Sequence, residues 1–303
     1  MITLKEDKKF VKVETWTDVT EIAGYHEKLD SSDYKLKEII GRYVFPHPVQ
    51  CGLMNCRQPH NSGYIVRTTK DGIVTNIGKD CGKTIFGVEF KQLSRSFDMA
   101  VTEQSHRETI ADFLFFADEY KKNIETLRQG SQGADAIHSK LKSLTHKNRG
   151  CPDVVVSKLN QMIRSRNPDI VIEKELSEKE ILDNEAIEGR TLPRPQYREE
   201  KIATLKGFSA LYPENDLRKR LIVGIWDNLN SLTNSGISLF SHNDLKYWAN
   251  WCSSYEKEFD DICSIVRQGS SLISTTEISK LTVLINSHSE RKLLNQFLKS
   301  IKQ

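Results

Sequence analysis

The spacing of apolar positions changes several times along the chain, and each change marks an element. Residues 10–16 (FVKVETW) alternate at period two, which predicts a strand. Val19, Ile22 and Ala23 share one side of a short helix over residues 17–27. Ser31 or Ser32 can cap a second helix that runs through Ile40, where Gly41 ends it, and residues 42–45 read as another strand. Residues 63–69 (GYIVRTT) are rich in β-branched and aromatic side chains. Lys70, Asp71 and Gly72 supply a tight turn, and residues 73–77 return as the second strand of a hairpin. Gly78 ends that strand, and Cys81 stands at a helix start.

After Gly87 the texture becomes helical. From Val88 to Gln129 there is no proline and no glycine, and Leu93, Phe97, Val101, Ile110, Phe113, Ala117, Tyr120, Ile124 and Leu127 form an apolar stripe. Unbroken, this helix would span roughly 60 Å. The polar run 103–109 is the expected interruption. Bundle packing is the first reading of the stripe, and a homodimer seam through 88–129 is the second. Two further helices follow, Ala134 to His146 and Asp153 to Arg166, separated by a turn over 148–152. Residues 169–173 are β-like, and Ser177 with Glu180 forms a capping box that opens a helix to Glu188.

Residues 189–197 carry two prolines and no apolar period, and read as an extended linker. From Arg198 the pattern is helical to the end: 199–211, 217–232, 241–268, then two helices opened by Ser274 with Glu277 and by Ser287 with Glu290. The expected fold is mainly α. A small zinc-stabilised α+β module occupies 1–87, a helical region 88–188, the linker 189–197 and a C-terminal helical bundle 198–303.

Composition narrows the class. At 303 residues the chain is long enough for two domains. Charged residues are 28% and hydrophobic ones 38%, as in a soluble globular protein. No apolar run approaches a membrane span, and residues 1–14 lack a signal-peptide core. The expectation is a cytoplasmic protein, in which thiols stay reduced and favour metal over disulfide.

That matters because three of the six cysteines fall within residues 51–81, in the order Cys51-x4-Cys56-x3-His60-x20-Cys81. Zinc accepts four thiolate or imidazole ligands in a tetrahedron, and structural sites fill all four positions from protein. Cys51, Cys56, His60 and Cys81 are therefore the expected zinc ligands, with His47 the rival for the fourth place. The knuckle, hairpin and helix start over residues 51–87 resemble a treble-clef zinc module. In that arrangement the helix often supplies two ligands. Here Thr84 holds the second position, so only Cys81 comes from the helix. Cys151, Cys252 and Cys263 are widely spaced and read as structural.

Charge adds a partner. Net charge is only +3, but residues 140–166 carry seven Lys/Arg against Asp153, and residues 173–188 carry seven acids against Lys174 and Lys179. The two runs either mark a nucleic-acid-facing segment beside a solvated one or neutralise each other on adjacent helices. Arg57, Arg67, Lys70, Lys79 and Lys83 lie within the zinc module against Asp71 and Asp80. Together with Lys142, Lys147, Arg149, Arg164 and Arg166 they are the expected phosphate contacts. Tyr64 and Phe86 are candidate stacking rings but read first as core.

No enzyme signature competes. Gly78, Gly82, Lys83 and Thr84 come one residue short of a P-loop, and His-Glu-x-x-His, Gly-x-Ser-x-Gly, dinucleotide-binding and kinase patterns are absent from the sequence. The reading leans to a zinc-containing, non-enzymatic nucleic-acid-binding or adaptor protein. Its alternative is a regulator or inhibitor subunit of a nucleic-acid-processing complex, docking through the C-terminal bundle.

Overall fold

The computed structural model describes residues 1–7, 9–56 and 58–301. Arg57, one of the expected cations, lies outside the described residues. The chain is mainly helical, with a small antiparallel sheet at its N-terminus. It divides into two units, residues 1–112 with 236–252 and residues 113–235 with 253–303. The expected linker, 189–197, falls inside the second.

In the first unit, β1 (Ile2–Glu6), β2 (Lys9–Val13), β3 (Leu36–Gln50), β4 (Pro59–Thr68) and β5 (Val74–Gly78) form one sheet in the order β2-β1-β3-β4-β5. Both faces of the sheet are covered. Ile2, Leu4, Ile40, Tyr43, Ile65 and Val74 pack with Val19 of α1 (Thr17–Thr20). Leu36, Ile39, Tyr64, Val66 and Ile77 pack with Phe90 and Phe97 of α2 (Lys79–Phe115). The β4–β5 hairpin turns where the sequence places it. Asp71 (φ 59°) and Gly72 (φ 63°) are both left-handed, a conformation that Gly and Asp adopt at least cost.

Three expectations for the first unit are corrected. The helix through Ile40 is the front of β3 instead. Ser32 donates to the Asp30 carboxylate rather than capping a helix. Register shifts between Leu36 and Glu38 and between Ile39 and Gly41 break the alternation of β3. Its buried residues Leu36, Ile39 and Ile40 thereby acquire a spacing that imitates a helix. The helix over 17–27 shrinks to four residues, because residues 24–26 are drawn out along the free edge of β5. The Val74 amide donates to Gly24 (2.7 Å) and the His26 amide to Val74 (2.8 Å). Finally, the break in the long helix falls at Phe116 and not at 103–109. The polar residues of 103–109 have partners: Glu103 binds His242 and Arg107, and Gln104 binds the Phe10 peptide in both directions, accepting from its N–H (2.7 Å) and donating to its C=O (2.9 Å).

α2 is not straight. Gly87 has φ 60° and ψ −128°, outside helical geometry, and bends the helix into arms 79–86 and 88–115. The arms are close together: the ring of Phe90 occupies the place where a Cβ on Gly82 would lie.

The second unit contains α3 (Ala117–Arg128), α4 (Ala134–Thr145), α5 (Asp153–Ser165), β6 (Asp169–Glu175), α6 (Glu178–Glu188), β7 (Tyr197–Thr204), α7 (Asp227–Thr233), α9 (Thr275–Ser279) and α10 (His288–Ile301). α8 (His242–Leu272) begins in the first unit and ends in the second. Arg218–Trp226 is a π-helical stretch that leads into α7. The expected helix 199–211 is corrected to a strand, since β7 pairs antiparallel with β6. Glu199, Glu200 and Lys201 are good helix formers. They sit on an exposed two-stranded ribbon, where Lys174–Glu200 (3.0 Å) and Lys201–Asp169 (2.8 Å) bridge the strands. The Ser177–Glu180 capping box is present in both directions.

Candidate metal centre

Four potential ligands arrive from four places in the first unit. Cys51 directly follows β3, Cys56 lies in the loop to β4, His60 is the second residue of β4, and Cys81 is in the first turn of α2. Their ligand atoms lie within 4.8 Å of one another. Cys56 Sγ is 2.9 Å from Cys81 Sγ and 3.7 Å from His60 Nε2, and Cys81 Sγ is 3.3 Å from His60 Nε2. Cys51 is buried and the other three are half-buried. The cluster lies close together and could hold a metal ion. The rival ligand His47 is exposed on β3 and is not part of it.

The surroundings favour negative sulfur. The N–H groups of Leu53 and Gly78 point at Cys51, and that of Gln58 at Cys56. Such N–H···S bonds stabilise thiolate. The imidazole of His60 lies over Gly78, and a Cβ there would come within 2.3 Å of the ring. Three thiols this close resist ionising together. Burial and the Cys56 thiol push Cys81 up to about 12. Cys56 is also raised by burial, but bonds from Cys81, the Gln58 N–H and His60 outweigh this and bring it to about 7. A divalent cation removes the conflict, because its charge holds every thiolate at once and displaces their protons. A cleft of about 700 Å³ lined by Trp16, Tyr25, Gln50 and Asn76 also reaches Cys51 and Cys56.

The expected cations are dispersed. Arg67 pairs with Glu38 (3.5 Å), and Lys70 sits over the Tyr34 ring. In the second unit Lys142 pairs with Asp216 (2.9 Å) and Arg166 with Glu214 (2.7 Å). Lys147, Arg149 and Arg164 are exposed with no ion-pair partner among the described residues. The acidic run 173–188 spends its charge on its own neighbourhood: Glu178 and Glu185 bind Arg194, Glu180 binds Arg198, and Glu188 binds Arg190. Lys79 and Lys83 instead line a cavity of about 410 Å³ with Lys91 and Arg95. These last two escaped the sequence reading, although their spacing of four repeats that of Lys79 and Lys83 on the far side of Gly87. Tyr64 is a core side chain, and Phe86 is half-buried against the same core. Tyr64 packs edge-on against Phe90 and gives its hydroxyl to Asp98 (2.7 Å).

No protein-family model, curated protein or solved structure matches this chain. Among the described residues, no helix is long and apolar enough to cross a membrane.

Proposed function

We propose that the chain is a zinc-containing, non-enzymatic nucleic-acid-binding protein, in which the metal has a structural role. The observation that carries this reading is the convergence of Cys51, Cys56, His60 and Cys81. Zinc–sulfur bonds of about 2.3 Å and zinc–nitrogen bonds of about 2.0 Å set tetrahedral edges of roughly 3.5–3.8 Å. The ligand separations given above bracket that range. Soft thiolates with one imidazole select zinc over oxygen-preferring ions. Four protein ligands leave no open position for a substrate or water, which argues for structure rather than catalysis.

The nucleic-acid half of the reading rests on charge. Cys81 lies between Lys79 and Lys83 on α2, so the ligand that anchors the helix also fixes two cations. Phosphate contacts dominate nucleic-acid affinity and make it salt-dependent.

Purified protein is expected to carry about one zinc per chain by elemental analysis, and Cys81→Ser to lose it. The loaded protein is expected to bind labelled nucleic acid with an affinity that falls steeply between about 50 and 200 mM salt. Fully folded protein without metal would overturn the zinc reading. No binding at the lower salt would overturn the nucleic-acid reading and leave the cations to a protein partner.

A further inference from the structure

Building on the nucleic-acid reading, we infer that the bend of α2 forms a trough that holds the phosphodiester backbone of a single-stranded nucleic acid. The trough is made by Gly87. Its backbone geometry is one that residues with a Cβ rarely adopt. On the first arm Lys79 and Lys83 are one turn apart, and on the second Lys91 and Arg95 are one turn apart. A straight helix would carry the second pair about 18 Å further along its axis, at 1.5 Å per residue over twelve residues. The bend instead turns all four toward one cavity of about 410 Å³. An adjoining cavity of about 430 Å³ shares Tyr64, Lys79 and Asp98 with it and extends to Arg42 and the N-terminal Met1. The two lie side by side on these shared residues.

Its charge is largely uncompensated. Asp98, the only carboxylate lining either cavity among the described residues, is spent on Arg42 (3.1 Å) and on the Tyr64 hydroxyl (2.7 Å). Lys83 has the exposed Asp80 at 3.4 Å. Lys79, Lys91 and Arg95 are exposed and have no ion-pair partner among the described residues.

The shape selects the ligand. Duplex readers insert a helix or ribbon into a groove of the DNA, which requires a projecting element. A cationic recess tracks one backbone. The rings that line it offer little stacking face: Tyr64 is only 6% exposed and packed on Phe90, and the His242 ring is tied to Glu103 (3.2 Å). Recognition therefore runs through phosphate, is tolerant of sequence, and is strongly salt-dependent.

The test is fluorescence anisotropy of the zinc-loaded full chain with labelled single-stranded DNA and RNA 20-mers and the matching duplex. Four phosphate contacts on a single strand predict a slope of log K against log salt of about −2.8, or about 50-fold weaker binding from 50 to 200 mM. The double variant Lys91→Gln/Arg95→Gln is expected to halve that slope and to lose more than tenfold in affinity at about 50 mM salt. Both residues are exposed, so folding is preserved. Gly87→Ala keeps all four charges but disfavours the bend, and is expected to weaken binding as well. The triple variant Lys147→Gln/Arg149→Gln/Arg164→Gln in the second unit is expected to bind like the wild type.

If the triple variant takes the loss and the double variant does not, the trough is wrong and the nucleic-acid reading stands. Tighter binding to duplex than to single strands would also overturn the trough. No binding by the wild type would overturn both.

Discussion

At the scale of single residues, the cysteine–histidine cluster depends on what surrounds its four side chains as much as on those side chains themselves. Gly78 is the sharpest case, because the His60 ring occupies the space of its absent side chain. Gly78→Ala is expected to displace the imidazole and to lower metal affinity by about 10–100-fold, the usual cost of disturbing a ligand's support. Competition with a chromophoric chelator measures this, and an unchanged affinity would show that His60 does not need that position. The four clustered residues were legible in the sequence because three cysteines and a histidine crowd into a short stretch. The support was not legible. Nothing in the residue order says that Gly78 must face His60, or that the Leu53 and Gln58 amides point at sulfur.

At the scale of elements, misreadings have physical causes. The hairpin over 63–77 was legible because Asp71 and Gly72 tolerate left-handed backbone. The front of β3 was hidden because its bulges shift buried positions out of alternation, leaving Leu36, Ile39 and Ile40 spaced as on a helix, whereas residues 42–45 read correctly as strand. β7 was hidden because none of its own residues is buried to impose a period, so its charged residues follow helix propensity. Pairing with Ile170 and Ile172 of β6 overrides that propensity. The end of β7 is held by Glu277 of α9, a carboxylate only 5% exposed. It accepts from the Lys206 N–H (2.9 Å) and from Lys280 (2.7 Å). Glu277→Ala is expected to cost about 2 kcal/mol, since it leaves the Lys206 N–H unpaired. Burial raises the Glu277 carboxyl, but the bonds from Lys280 and Lys206 outweigh it and hold the group below its ordinary 4.5. Its stabilisation is therefore present above 4.5 and is lost as pH falls through the lower folded value. Denaturant unfolding of the wild type and Glu277→Gln across that range should show the two curves converging in acid. A difference that persists at low pH would mean that the charge is not what holds the contact.

At the scale of the whole molecule, the two units differ in what holds them. The second has an apolar core that includes Ile124, Ile137, Leu144, Leu159, Ile170, Leu229 and Leu232, all buried. The first has a thin sheet with a core on each face, and its cysteine–histidine cluster joins the ends of β3, β4 and α2. Metal binding energy adds directly to folding energy in such a module. A chelator is expected to lower the melting temperature of the first unit and leave that of the second unchanged. Calorimetry with and without chelator, followed by limited proteolysis, would test it. A single transition that ignores the chelator would contradict a structural metal. Residues 236–252 join the first unit from far along the chain, and distance in sequence gives no hint of that return.

The side chain of Gln104 has a consequence for how these molecules behave in company. β2 is an outer strand, and a bare outer strand is a template on which a second chain can add its own. By taking both the N–H and the C=O of Phe10, the Gln104 amide occupies one position of that template with a group that cannot propagate. The polar stretch of α2 that reads in sequence as a weak point thus hinders strand addition at this point of the sheet edge.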